Sequence, residues 1–193
     1  MILNKKLFIQ YCLFLLLFFN VEIEAQEQYI VEKIEGAARE SNVELIVIHA
    51  TGGPDCDPNI SFKSGTLYQI IQHFKRNQKK ISIHYIIGRN GDVVKMVEEN
   101  EIAYHVRGYN YSSIGIELVN NGDGKDTYSN KQIESLISLL KQIIKRHKLS
   151  IEQIKGHELL DNSELNCNGK ILKRKQDPGA NFPWELLRKK LEN

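Results

Sequence analysis

The sequence predicts a single α/β domain of α+β character, in which a central mixed β-sheet is flanked by helices. Three observations carry that reading. Short β-branched runs alternate with amphipathic helical stretches. An Asn-Gly pair separates two apolar runs, as in a hairpin. A chain of 193 residues, 41% hydrophobic and 26% charged, suits one globular core.

At the N-terminus, Lys5 and Lys6 precede the largely apolar run Leu7 to Phe19, which gives way to polar "NVEIEAQEQ". That order matches a secretory signal over residues 1–25, with cleavage after Ala25. The run is shorter than the roughly 20 residues of a membrane span, although an uncleaved anchor remains the alternative. Residues 26–42 read as a lead-in and 43–193 as the domain proper. The expectation is an exported monomer, periplasmic or extracellular, with no stable membrane insertion after signal cleavage. A net charge of +2, from 26 basic and 24 acidic residues, excludes nucleic acid as the main partner. Loss of Cys12 with the signal leaves Cys56 and Cys167, which in an oxidising compartment are expected to form a disulfide. Neither has a CxxC partner to make it a metal thiolate.

"VELIVIHAT" (43–51) is a buried strand ending at His49 to Thr51, and "GGPDCDPN" is a loop. "SGTLYQIIQHFKRNQKK" spaces Leu67, Ile70, Ile71 and Phe74 along a helix, with His73 on its polar face. "ISIHYIIGRNGDVVKMVEE" sets Ile81, Ile83, Tyr85 and Ile87 on one side of a strand that turns at Asn90-Gly91. In "SIGIELVN" (113–120) Glu117 points away from the apolar set. The clearest helix, 129–148, opens on a capping box at Ser129 and Gln132 and runs Ile133, Leu136, Leu140, Ile143 and Ile144 along one face. Ser150 and Gln153 repeat the cap pattern, and "PWELLRKKLEN" closes the chain as a helix with proline in its first turn.

Of the six histidines, His73 and His147 read as solvated surface. His84, on the alternate side of its strand, suits a core or supporting role as well as ligation. His49 stands at a strand end, where sites gather in α/β sheets; alone, it is as readily a core histidine. His157 follows Gly156, and Asp177 comes 20 residues later. Two imidazoles and a carboxylate form a catalytic zinc set with a fourth position free, but spacing alone does not establish it.

Four separated stretches carry a resemblance: "IVIHAT"; "SIHYIIGRNGDVVKMV" with "AYHVRG"; "SIGIELVN"; and "GHELL" with "KRKQDPG". In this order they resemble the type-2 N-acetylmuramoyl-L-alanine amidases, relatives of the peptidoglycan recognition proteins, over roughly residues 43–190. The resemblance implies that fold, makes 43–193 a zinc amidase catalytic domain, and maps the Zn²⁺ ligands onto His49, His157 and Asp177. It implies hydrolysis of the amide between the lactyl group of N-acetylmuramic acid and L-alanine of the stem peptide, with peptidoglycan or muropeptides as partners. Glu117 then handles protons, and Lys175 stabilises the oxyanion from a loop stiffened by Pro178 and Gly179. His105, Arg107 and His84 fall among substrate-binding or supporting groups, while Lys173 and Arg174 read as solvated. Ile83 stands where some relatives place a tyrosine, which leaves the proton role to Glu117. The alternative is a peptidoglycan-binding module without catalysis.

Overall fold

In a computed structural model, which describes residues 29–192, a six-stranded mixed sheet separates two apolar layers. Its strands are β1 (Ile30–Val31), β3 (Leu45–Ala50), β4 (Tyr85–Ile87), β5 (Val93–Lys95), β7 (Ser113–Leu118) and β8 (Ile154–Gly156), in the order β1-β5-β4-β7-β3-β8. Within this sheet only β4 and β5 pair antiparallel, through the Asn90-Gly91 turn. Because β4, β7, β3 and β8 are mutually parallel, their C-terminal ends share one edge. A small strand pair joins β2 (Ala37–Ala38) to β6 (Glu101–Ile102), and β9 (Glu164–Cys167) forms a hairpin with β10 (Lys170–Lys173). Residues of the segment read as a lead-in thus supply β1 and β2. The signal expected over 1–25 lies outside the described residues. Among those described, no helix is long and apolar enough to cross a membrane.

Strand alternation sorts the side chains. Ile46, Ile48, Ile114, Ile116 and Leu118 face α2 (Asn130–His147) and α3 (Trp184–Glu192), which add Ile133, Leu136, Leu139, Leu140, Ile143 and Leu187. Each buried aliphatic side chain contributes about 1.5–3 kcal/mol. The opposite face packs Ile86 and Val94 against Ile71 and Phe74 of α1 (Leu67–Asn77).

The caps differ in detail from the sequence reading. Ser129 accepts a hydrogen bond from the Gln132 N–H, as expected, but the Gln132 side chain does not return it. Instead its amide donates to the carbonyls of Ile87 and Val119, tying α2 to the ends of β4 and β7. Reciprocal capping boxes occur at Ser150 with Gln153 and at Thr66 with Gln69. The strand expected from Ile81 starts only at Tyr85, and Ile83 packs on the α1 side while Tyr85 and Ile87 pack on the other. The backbone bends at His84, and Ser82 pairs with Tyr104 through both its N–H and its hydroxyl. The tertiary pairing of this polar stretch overrides its period-2 pattern.

Cys56, in the loop after β3, and Cys167, at the end of β9, form the expected disulfide, 111 residues apart in sequence. Closing so long a loop constrains the unfolded chain by about 5 kcal/mol on the chain-entropy account.

Candidate functional site

The shared C-terminal edge of the parallel strands holds the site, as the rule for open α/β sheets requires. His49 and Glu117 lie opposite one another on β3 and β7, both on the face away from α2. Ile48 pairs with Gly156, so the next residue, His157, emerges beside His49. Asp177 comes from the loop after β10. That loop is fixed by the Asp177 carbonyl accepting the Glu158 N–H at 3.0 Å and by the Tyr128 hydroxyl donating to the Pro178 carbonyl. The Asp177-Pro178 peptide is cis, and Gly179 follows at φ +95°, a conformation that strains any side chain.

His49 Nδ1 and His157 Nδ1 face each other at 2.9 Å, and Asp177 Oδ2 lies 3.2 Å from the first and 2.9 Å from the second. All three residues are buried. Two imidazole nitrogens and a carboxylate oxygen turned inward on one point are a poor hydrogen-bond cluster, since two neutral imidazoles bring at most two hydrogens to three mutual contacts. They are a good donor set for a divalent cation. Burial, only partly offset by the neighbouring Asp177 carboxylate, lowers His49 to about 4. Burial pushes Asp177 up, but the His157 and His49 imidazoles against its carboxylate outweigh it and hold the carboxyl well below the usual range. The metal-ligating forms, neutral imidazole and carboxylate, are therefore those the site favours. The structure thus brings together His49, His157 and Asp177, residues taken from three separate stretches.

Glu117 is 8% exposed, and burial first, then the Asp177 charge, raise its carboxyl to about 8, against a lowering by Lys175. Lys175 is half-buried and faces the same groove, a cleft of about 570 Å³ whose floor is His49, Glu117, His157 and Asp177. One wall is the Gly52–Asp55 loop and the other includes Leu165 and Arg174, and the disulfide ties these two walls together. An adjoining recess of about 290 Å³ is lined by Lys80, Arg107 and Arg174, beyond His157.

His105 donates or accepts at both ring nitrogens, to His49 Nε2 at 3.0 Å and to the Ser113 hydroxyl at 3.1 Å, so it supports the site from beneath while lining the groove. His84 is a correction. At 0% exposure it cannot touch a substrate. Its Nδ1 accepts the Gly115 N–H at 3.0 Å, which leaves Nε2 to donate to the Glu101 carbonyl. One further reading changes. His147 is not solvated surface but binds Glu99 at 2.7 Å. Lys173 and Arg174 are exposed, as expected, although Lys173 donates to the Glu158 carbonyl and Arg174 lines the groove. His73 is exposed, as expected, at the groove margin.

Sequence reasoning missed Arg39, whose guanidinium donates to the carbonyls of Glu99, Glu101, Tyr111 and Ser113 and so pins β6 to the start of β7 behind the histidines. Nothing local in the sequence marks it, because each of these carbonyls is 60 or more residues away.

Comparison with known proteins agrees with this fold. N-acetylmuramoyl-L-alanine amidase AmiD of Escherichia coli is 28% identical over 187 residues, covering 86% of this chain and 59% of that protein. The 1,6-anhydro-N-acetylmuramyl-L-alanine amidase AmpD of Haemophilus influenzae is 33% identical over 117 residues, 56% of this chain and 57% of that protein. The chain thus spans under three-fifths of the length of these two relatives. A solved structure of E. coli AmiD, in complex with the substrate anhydro-N-acetylmuramic acid-L-Ala-D-γ-Glu-L-Lys, shares the fold at TM-score 0.57 and 22% identity, covering 88% of this chain and 61% of that one. The profile of the Amidase_2 family, described as N-acetylmuramoyl-L-alanine amidase, matches residues 39–180, and the chain belongs to that family.

Proposed function

We propose that this protein is a zinc-dependent amidase that hydrolyses the bond between the lactyl group of N-acetylmuramic acid and L-alanine of a peptidoglycan stem peptide. The observation that carries the proposal is the convergence of His49, His157 and Asp177 on one point, beside Glu117, on the floor of an open groove. The substrate held by AmiD in its solved complex supports a muropeptide as the ligand class.

A zinc ion held by these three residues supplies Lewis acidity toward the scissile carbonyl and acidifies water. The chain's own groups do the rest. Glu117, raised to about 8 by burial and by the Asp177 charge against Lys175, lies near the neutral range where a proton shuttle works best. Glu117 takes a proton from the attacking water as its oxygen bonds to the carbonyl carbon, then delivers that proton to the departing L-alanine nitrogen as the C–N bond breaks. Lys175 offers its ammonium to the negative charge that develops on the carbonyl oxygen. Arg107, exposed in the side recess, is placed to pair with a substrate carboxylate. His105 holds His49. The same reading places the protein outside the cytoplasm, supported by the Cys56–Cys167 disulfide and the apolar run near the N-terminus.

Mass analysis of muropeptides digested by the zinc-loaded protein is the test. Free stem peptides beginning at L-alanine are expected. Shortened peptides still joined to sugar would make it a peptidase, and binding without cleavage would make it a recognition module.

A further inference from the structure

Behind the ligand cluster, a chain of hydrogen bonds leads from His49 to the backbone. Its hydrogens can be assigned from one end. The Ser113 hydroxyl oxygen lies 2.7 Å from the Tyr109 carbonyl oxygen, a contact between two acceptors unless the hydroxyl donates. Its single hydrogen is thereby used. The 3.1 Å contact between Ser113 Oγ and His105 Nε2 then needs the hydrogen of the imidazole. A neutral His105 with hydrogen on Nε2 has a bare Nδ1, and the 3.0 Å contact to His49 Nε2 takes its hydrogen from His49. A neutral His49 with hydrogen on Nε2 presents a bare Nδ1 to His157 Nδ1 at 2.9 Å and to the Asp177 oxygen at 3.2 Å; these two acceptors share the His157 hydrogen in the metal-free protein and would share a cation in the loaded one.

We infer that Tyr109, Ser113 and His105 form a tautomer relay that fixes His49 with its Nδ1 lone pair free for the metal. The inference rests on the metal-site reading above. Ser113 and His105 are positioning residues, acting through His49. Partners of this kind, which hold a ligand's second nitrogen, orient the ring and raise its basicity.

The surroundings are built around the relay. A Cβ at Gly115 would lie 2.6 Å from His105 Nδ1 and 2.5 Å from Ile83 Cδ1, so the ring occupies the space that any side chain at 115 would need. The Gly115 N–H is held by His84, whose ring also meets that of His105 edge-on at a centroid distance of 5.6 Å. The Asn110 side chain accepts from the N–H groups of His105 and Val106, both at 2.8 Å, which fixes the backbone that carries the relay ring. The glycine of "SIGIEL" and the buried His84 thus acquire a role that neither substrate contact nor metal ligation explains.

The test uses ¹⁵N-imidazole NMR of the metal-free protein, which reads tautomers without zinc or substrate, together with zinc affinity by chelator competition. The parent is expected to carry hydrogen on Nε2 of both His49 and His105. H105F keeps a ring of similar size but has no acceptor. It should lose the single His49 tautomer and about 10- to 100-fold in zinc affinity. H105Q, whose amide oxygen can accept from His49 while its NH₂ donates to Ser113, should recover most of that loss. Should H105F fail to fold, Ser113→Ala is read in the same way, with a mixture of His49 tautomers expected. Hydrogen on His49 Nδ1 in the parent would overturn the relay, as would a folded H105F or Ser113→Ala protein that keeps one His49 tautomer and the parent's zinc affinity. Because the tautomer is read without metal or substrate, failure of the amidase proposal and failure of the relay are separate results.

Discussion

Two glutamates in this molecule lose most of their contact with water and titrate in opposite directions. Glu99, its side chain 13% exposed, sits behind the C-terminal end of α2 among Tyr85, Arg146 and His147. Burial pushes its carboxyl up, but hydrogen bonds from Arg146, Tyr85 and His147 outweigh that and bring it to about 2. Glu117, at the C-terminal edge of the parallel strands, is raised to about 8 by burial and by Asp177, with Lys175 opposing. One carboxylate is surrounded by donors, while the other is left beside a second acid. The first arrangement holds the fold together, and the second makes sense only if something else, a cation and a substrate, completes the site.

The largest effect should come from removing the ligands at the second region. His49→Ala and Asp177→Ala are expected to lose stoichiometric zinc and with it all measurable hydrolysis, read by metal analysis and muropeptide assay; zinc retained in both variants would break the contrast at its root. Glu117→Gln should keep zinc yet lose about 10²- to 10⁴-fold in kcat, and a fully active variant would remove Glu117 from the mechanism. Lys175→Ala should lower kcat by about 10²- to 10³-fold with zinc affinity nearly unchanged, measured by the same pair of assays.

The smallest and most discriminating prediction concerns stability against pH. Glu99 has a folded value, about 2, below its unfolded value near 4.5, so its contribution is present above pH 4.5 and is lost as pH falls toward 2. Glu99→Gln should cost about 3 kcal/mol near pH 7 and flatten the acid limb of the unfolding curve. Glu117 has the opposite sign. Its folded value lies above its unfolded one, so in the metal-free protein its contribution is present below pH 4.5 and is lost as pH rises toward 8. Metal-free Glu117→Gln should therefore gain on the parent as pH rises from 5 to 8. Denaturant melts from about pH 2 to pH 8 show whether the two glutamates diverge as described.

The same contrast governs what could be read from the sequence. Helix α2 was legible because its apolar period and its Ser129 cap are local signals, as was the hairpin at Asn90-Gly91. Glu117 was placed on the correct face of β7 by alternation alone. His49, His157 and Asp177 took their roles from the resemblance of four motifs, since only the fold brings residues 108 and 128 positions apart together. The rest depends on contacts with no local signature. Arg39 bonds carbonyls across the chain, Glu99 collects Arg146 and His147 from a helix read as ending in solvent, and Gln132 leaves its cap to bridge two strands. The bend at His84 escaped for the same reason: the stretch is held by Tyr104, which pairs with Ser82, and by the Gly115 N–H on His84, both more than 20 residues on.

The central claim is that three donors from distant parts of the chain share one cation. Crystals grown with zinc and measured across its absorption edge test it directly. A single anomalous peak bonded to His49 Nδ1, His157 Nδ1 and an Asp177 oxygen, with Glu117 nearby but outside the coordination sphere, is the predicted result. A peak elsewhere, or one that engages only one of the two histidines, would contradict it.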